Sequence, residues 1–526
     1  MDKLKRSPMR LLFLIIGLGV GASLVPSLSS CSTVIDASGL NEIELASNTR
    51  NQLQRFEDVY NKYVNVGTVE DGEVRTDGLS HFRDAFMRVR YDYVRDVPES
   101  VLVDTAIQGI EESEPKPMPG KVEGAVLIEA ALDKMMSSLD PHSSYLNPDE
   151  LKEMKVSNKG EFGGLGIEVT MDGDFVKVVL PIEDTPAAHA GLISGDLISH
   201  LDGVEIKGKS LMQAVRLMRG KAGSVIRLTV KRAELAPFDV EIRRAIINVR
   251  SVRWHLEGNI GYIRVVSFSA KVAPGIDAAM EEINDKLGSS LAGIVLDLRN
   301  NPGGLLHQSL TLSDAFLEQG TIVSVRGRRE GSERVFEAES GDLAHGLPVV
   351  VLINPGSASA SEIVAAALQD HGRAIIMGQQ SFGKGSVQTI TPLPQEGALR
   401  LTTQLYYSPT GHAIQARGIT PDIEIIPMPK PEQEAKVAAK VEDKVEAESK
   451  DAAIAKAKAV RRREADLPGA LAAVGKEEAH PHPKLAEESC QPVGEKEDRT
   501  LGCALALIHA GTSAKFLAAI KQNPAM

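Results

Sequence analysis

The chain has 526 residues, too many for one ordinary hydrophobic core, so two or three domains are expected. Its 71 acidic and 59 basic side chains leave a net charge of -12, which excludes a general nucleic-acid binder and confines any basic partner site to a local patch. The composition is otherwise that of a globular protein.

Residues 1–31 begin with basic side chains up to Arg10, followed by an apolar run from Leu11 to Val20. That order is the pattern of a secretory signal and places the body of the protein outside the cytoplasm, in the periplasm. The segment ends in Leu28-Ser29-Ser30-Cys31, which resembles a bacterial lipobox and makes Cys31 the candidate for lipidation and membrane anchoring. A plain signal peptide and an uncleaved anchor are the alternatives.

Residues 48–150 read as a helical region. Leu53, Phe56, Tyr60 and Tyr63 recur at helical spacing, as in a core helix or one buried in a dimer. The polar, glycine-bearing stretch from Val66 to Gly78 reads as a loop. The turn "SLDPHSSYL" closes the region, and its isolated His142 beside a proline is more often structural than a base or ligand.

Between residues 155 and 245 the texture changes. Strand-like runs surround one helix-like run, "SLMQAVRLMRG", which is the pattern of a small α+β module. From 249 to 428, β-branched runs such as "LAGIVLDLRN", "LPVVVLIN" and "RAIIMG" alternate with helical stretches, which predicts an α/β sheet domain. Residues 429–526 read as a charged linker and a short helical tail that could dock on the body. Cys490 and Cys503 are placed there to close a short loop by a disulfide in an oxidising compartment. The His480-Pro481-His482 run is a poor metal site in a polar tail, so no metal is expected.

Three serines, Ser357, Ser359 and Ser361, alternate with alanines where the apolar run Val349 to Ile353 meets a helical pattern. A helix cap needs one hydroxyl, not three. A nucleophilic serine needs a base, and Lys384, flanked by Gly383 and Gly385, follows a second apolar run. Burial lowers a lysine from its ordinary value of about 10.4 toward neutrality, where it accepts a proton. Gly303 and Gly304, in "LDLRNNPGGLL", end a third apolar run with backbone N–H groups able to face a reacting carbonyl.

In this order, "DLRNNPGG", "NPGSASASEIVAAALQD" and "SFGKGSVQ" resemble the carboxyl-terminal processing, or tail-specific, proteases, most closely the CtpA-type periplasmic members. "SLDPHSSYL" and "GEFGGLGIEV" match two further family segments, so the resemblance runs from about Asn51 to Met428. It implies a multidomain α/β protein with a helical, dimerising N-terminal region, a PDZ domain and a ClpP/crotonase-like α/β serine protease domain. It makes the middle serine, Ser359, the nucleophile and Lys384, 25 positions later, the general base. Gln388 matches the glutamine that orients the lysine, and the oxyanion donors would be Ala360 with Gly303 or Gly304. In the PDZ domain the carboxylate-binding loop would be Phe162, Gly163, Gly164, Leu165, Gly166 and Ile167, with Leu211 and Val215 in the side-chain pocket. Met218 is equally suited to that pocket or to the module's own core, and Arg219 and Lys221 could pass a signal to the protease domain.

The family reading predicts cleavage of cell-envelope proteins near exposed C-terminal tails, without a cofactor. It also implies a homodimer and, in some members, a helical-repeat adaptor protein. An inactive PDZ scaffold would lack Ser359 or Lys384, and both are present. An acyl-CoA enzyme fits poorly with a secretory signal, and the chain lacks the Gly-Asn-Ser-Gly-Gly motif of trypsin-like proteases.

Overall fold

A computed structural model describes residues 47–64, 77–113, 124–182, 184–209, 211–232, 235–248, 250–427, 463–475, 482–494 and 497–522. The signal segment with Cys31, most of the loop from Val66 and the run of the charged linker lie outside the described residues.

Four helices, Ser47–Tyr63, Asp77–Asp92, Glu99–Glu112 and Gly124–Ser137, form the N-terminal region. The periodic stripe packs inward within this chain. Phe56 and Tyr60 are buried, and Phe56 stacks on Phe82 of the second helix. The "SLDPHSSYL" turn then enters the strand Ser144–Leu146, which pairs antiparallel with Ala398–Tyr407. The next helix, Pro148–Asn158, starts at a reciprocal cap: Asn147 accepts from the Glu150 N–H while the Glu150 carboxylate accepts from the Asn147 N–H.

The small module opens with Glu161–Gly164, paired with Ala245–Asn248. Its main sheet runs in the order Ile167–Asp172, Phe175–Pro181, Leu197–Leu201, Val225–Lys231 and Phe238–Arg243. Alternation along Val225–Lys231 sends Ile226, Leu228 and Val230 inward against the helix Leu211–Met218. Met218 is buried in that core.

The larger domain is built on a seven-stranded sheet. Its apolar runs are the strands Ile260–Val265, Gly293–Asp297, Val349–Ile353 and Ala374–Gly378, all parallel, and two of them are buried along their whole length. Such strands need cover on both faces. On one face lie the helices Val272–Leu287, Leu306–Asp314 and Ala360–Asp370. On the other lie Arg499–Ala510 and Ser513–Gln522, whose Leu501, Leu507, Ile508 and Phe516 meet Tyr262, Val295, Val350 and Ile425.

That second face revises the boundary drawn at residue 428. The strand Lys484–Ala486 extends the same sheet beside Ile423–Ile426, so the C-terminal segment, expected as a tail that could dock, is part of the domain and covers one face of its sheet. The added strand and the surface covered were not visible in the sequence, because a short amphipathic helix does not announce which surface it will bury.

A second, five-stranded sheet joins Ser144–Leu146, Gly320–Gly327, Arg334–Ala338, Ser386–Pro392 and Ala398–Tyr407. It brings the "SFGKGSVQ" turn against the end of the helical region.

Candidate active site

The three serines divide their work. Ser357 Oγ, fully buried, donates to the Leu298 carbonyl at 2.8 Å, and Ser361 Oγ, also buried, donates to the Asn301 carbonyl at 2.9 Å. Both therefore tie the serine turn to the neighbouring "DLRNNPGG" loop. Ser359, between them, is half-buried and carries φ 55° and ψ -112°, a conformation non-glycine residues rarely hold. It caps the helix Ala360–Asp370, whose first N–H groups point toward the same space.

The glycine loop is held equally close. Asn301, fully buried, donates from Nδ2 to the Val265 carbonyl at 2.8 Å and accepts the Gly303 N–H at 2.9 Å. Gly303 has φ 96°, and a Cβ there would stand 2.7 Å from the Ala358 carbonyl oxygen and 2.9 Å from the Ala360 nitrogen. Only glycine lets the two loops approach this far.

Lys384 arrives from the second sheet, half-buried, and burial pulls its ammonium below the ordinary lysine value, with the Arg400 charge adding to the effect. The carboxylates of Glu464, Asp140 and Glu362 act in the opposite sense. Glu362, completely buried in the first turn of the serine helix, joins the two loops. Its Oε2 accepts from the Ser359 N–H at 2.7 Å and the Lys384 N–H at 2.9 Å; its Oε1 accepts from Ser381 Oγ and the Gly383 N–H, each at 2.6 Å. Burial pushes the Glu362 carboxyl up to about 7, against the pull of these donors.

The profile of peptidase family S41 matches residues 259–425, and a PDZ-domain profile matches residues 177–232. A carboxy-terminal-processing protease of Bartonella bacilliformis is 50% identical over 357 residues, 68% of this chain and 76% of that protein. This chain belongs to the carboxy-terminal-processing proteases of family S41. A probable CtpA-like serine protease of Staphylococcus epidermidis is 33% identical over 301 residues, covering 57% of this chain and 60% of its own. A solved photosystem II D1 C-terminal processing protease is 28% identical, covers 67% of this chain and 93% of its own, and superposes with a TM-score of 0.45. The protein is thus a serine peptidase of multidomain, mixed α and β architecture, with a PDZ domain as its small module.

Other predicted residues of the protease fall as follows. Gln388 sits at a bulge in Ser386–Pro392 and donates to Ser386 Oγ at 2.9 Å and Thr402 Oγ1 at 3.3 Å; among the described residues its hydrogen bonds do not reach Lys384. In the PDZ domain, Phe162, Gly163 and Gly164 pair with Ile247, Ile246 and Ala245, and Ile167 opens the strand Ile167–Asp172, so only Leu165 and Gly166 lie between strands. Leu165 is buried, Gly166 has φ 80° and lies against Thr185, and Leu211 and Val215 are partly buried on the module's core. Cys490 and Cys503 form a disulfide within the apolar layer under the C-terminal helices. His482 faces Glu424, and no cluster able to hold a metal occurs among the described residues.

Sequence reasoning missed Glu362, Asn301 and Glu464. Glu362 had a visible signal, because Ser359 followed three residues on by glutamate has the spacing of a capping box. Glu464 had none.

Proposed function

We propose that the protease hydrolyses peptide bonds with Ser359 as nucleophile and Lys384 as general base, acting near exposed C-terminal tails of cell-envelope proteins. The observation that carries this reading is the single buried Glu362 carboxylate binding the backbone N–H groups of both Ser359 and Lys384. It holds the two turns in one frame, and the partly desolvated lysine is biased toward the neutral form that accepts a proton. Ser359 Oγ adds to the carbonyl carbon as its proton passes to Lys384 Nζ. The oxyanion forms beside Ala360 N–H and the glycine turn. Gly303 has its N–H engaged by Asn301, so Gly304 is the donor we assign. Lys384 then protonates the leaving amine, and water releases the acyl group by the reverse proton path.

The PDZ domain would take the substrate's C-terminus at the Leu165–Gly166 connection while the tail extends the edge strand Ile167–Asp172. Gln388 would act through its Ser386 and Thr402 contacts on the strand that follows Lys384. The basic and apolar N-terminal order supports export to the periplasm, with Cys31 as a lipid anchor. The family resemblance is what supports a homodimer, and a helical-repeat adaptor belongs to the same proposal.

Cleavage of casein by protein lacking residues 1–31, beside Ser359→Ala and Lys384→Ala, tests the chemistry. Loss of about 10³-fold or more in kcat in each variant is expected. Retained cleavage by either variant sinks the pairing.

A further inference from the structure

A second buried carboxylate reaches the lysine turn from far along the chain. Glu464, fully buried, lies in the short segment 463–475 that follows the charged linker. Its N–H donates to the Phe382 carbonyl at 3.0 Å, two residues before Lys384. Its Oε1 accepts from Gln415 Nε2 at 3.0 Å, and Gln415 Oε1 in turn accepts from the Gly385 N–H at 2.9 Å, one residue after Lys384. The backbone is therefore gripped on both sides of the lysine by one residue, directly at Phe382 and through an amide relay at Gly385.

The contact is built for closeness. A Cβ on Gly385 would stand 2.1 Å from the Gln415 nitrogen, so the turn lies flush against its support. Gln415 is itself fully buried and also donates to the Leu471 carbonyl at 3.2 Å. Glu464 is steadied from the far side by His142 Nε2, at 2.9 and 2.8 Å from its two oxygens. His142, in turn, offers its carbonyl to Arg400 Nε at 3.2 Å. The same C-terminal region also holds the glycine loop: Asp498 accepts from Arg299 Nη1 at 3.0 Å and Nη2 at 2.6 Å, two residues before Asn301.

We propose that Glu464 is a positioning residue for Lys384, so that the segment beyond the linker completes the hydrolytic site which the family motifs leave open on one side. The inference rests on the serine and lysine reading above. A lysine side chain has four rotatable bonds, so its Nζ is placed only as well as the backbone beneath it. Replacing the Glu464 carboxylate by an amide leaves His142 and Gln415 one acceptor oxygen where two stood, with an N–H donor in place of the other, and the turn they support loosens. The charge matters as well. Lys384 faces Arg400 from Ala398–Tyr407, Asp140 from the "SLDPHSSYL" turn, Glu362 from the serine helix and Glu464 with its partner His142. Of these, Glu464, Asp140 and Glu362 favour the charged lysine, Glu464 the most, so its loss moves the lysine further down.

The test compares full-length wild type, Glu464→Gln and Glu464→Asp in casein cleavage across pH, with thermal melts beside them. Glu464→Gln is expected to lower kcat roughly ten- to hundred-fold at nearly unchanged KM. The acid limb of its kcat/KM profile is expected to move to lower pH, and Glu464→Asp, which keeps the charge, should return that limb toward the wild-type position. Wild-type kcat in Glu464→Gln, or a loss of kcat with the limb unmoved, overturns the proposal. If Glu464→Gln does not fold, Glu464→Asp decides: reduced kcat at unchanged KM sustains the proposal and wild-type kinetics overturn it. Lys384→Ala in the same assay separates the two claims, because its retained activity would defeat the serine and lysine reading whatever Glu464 does.

Discussion

The serine turn and the lysine turn are neighbours, yet they are made in different ways. The serine turn is fastened by its own sequence: Ser357 and Ser361 bond to the adjacent loop, and Glu362, three residues on, accepts the Ser359 N–H. The lysine turn contains little of what holds it. Its partners are Glu362 from the serine helix, Gln415 beyond the second sheet and Glu464 beyond the linker. On the proposed reading, the nucleophile sits on a largely self-sufficient scaffold and the base depends on segments remote along the chain.

The largest expected effect strikes the self-sufficient side. Gly303→Ala puts a methyl group against the Ala358 carbonyl at a left-handed φ of 96°, and should cut kcat by about 10²- to 10³-fold by displacing the glycine turn. Activity near wild type there would mean that the two loops do not need their close approach.

On the dependent side, the disulfide under the C-terminal helices is the next strongest lever. Replacing Cys490 and Cys503 together by serine removes a cross-link spanning 13 positions and should lower stability by about 3 kcal/mol, measured by urea unfolding. If the C-terminal segment serves the lysine turn, activity should fall at urea concentrations below the main unfolding midpoint. Simultaneous loss of activity and fold would remove the distinction between the two sides.

The smallest effect concerns the carboxylate they share. The folded protein holds Glu362 at about 7 against an ordinary 4.5, so it binds the extra proton more readily than the unfolded chain between those values. Its contribution to stability is therefore complete below about 4.5 and is lost as pH rises through about 7. Glu362→Gln should flatten that part of the stability profile, read as melting temperature against pH. An unchanged slope would show that Glu362 is not the group that titrates.

Much of this architecture is visible in the sequence because it is local. Runs such as Val349 to Ile353 are continuously apolar, since a parallel strand covered on both faces has no side for polar residues. The glycine pair, the serine repeat and the glycine-flanked lysine mark the strand-end loops because those backbones need conformations or approaches that few residues allow. The local pattern also marked a small α+β module, and the family resemblance identified it as the PDZ domain.

What the tertiary structure alone decided is which distant groups meet. That Arg499–Ala510 and Ser513–Gln522 cover the second face of the sheet depends on the shape and apolarity of a surface assembled from five strands. That Glu464 is a buried acceptor rather than one more charge in a charged tail depends on His142 and Gln415 converging on it. Periodicity records whether a residue faces inward, but a hydrogen bond between remote segments leaves no mark on the residues around either partner. The motifs that carry the proposed pair were therefore legible, and the distant contacts that hold their turns were not.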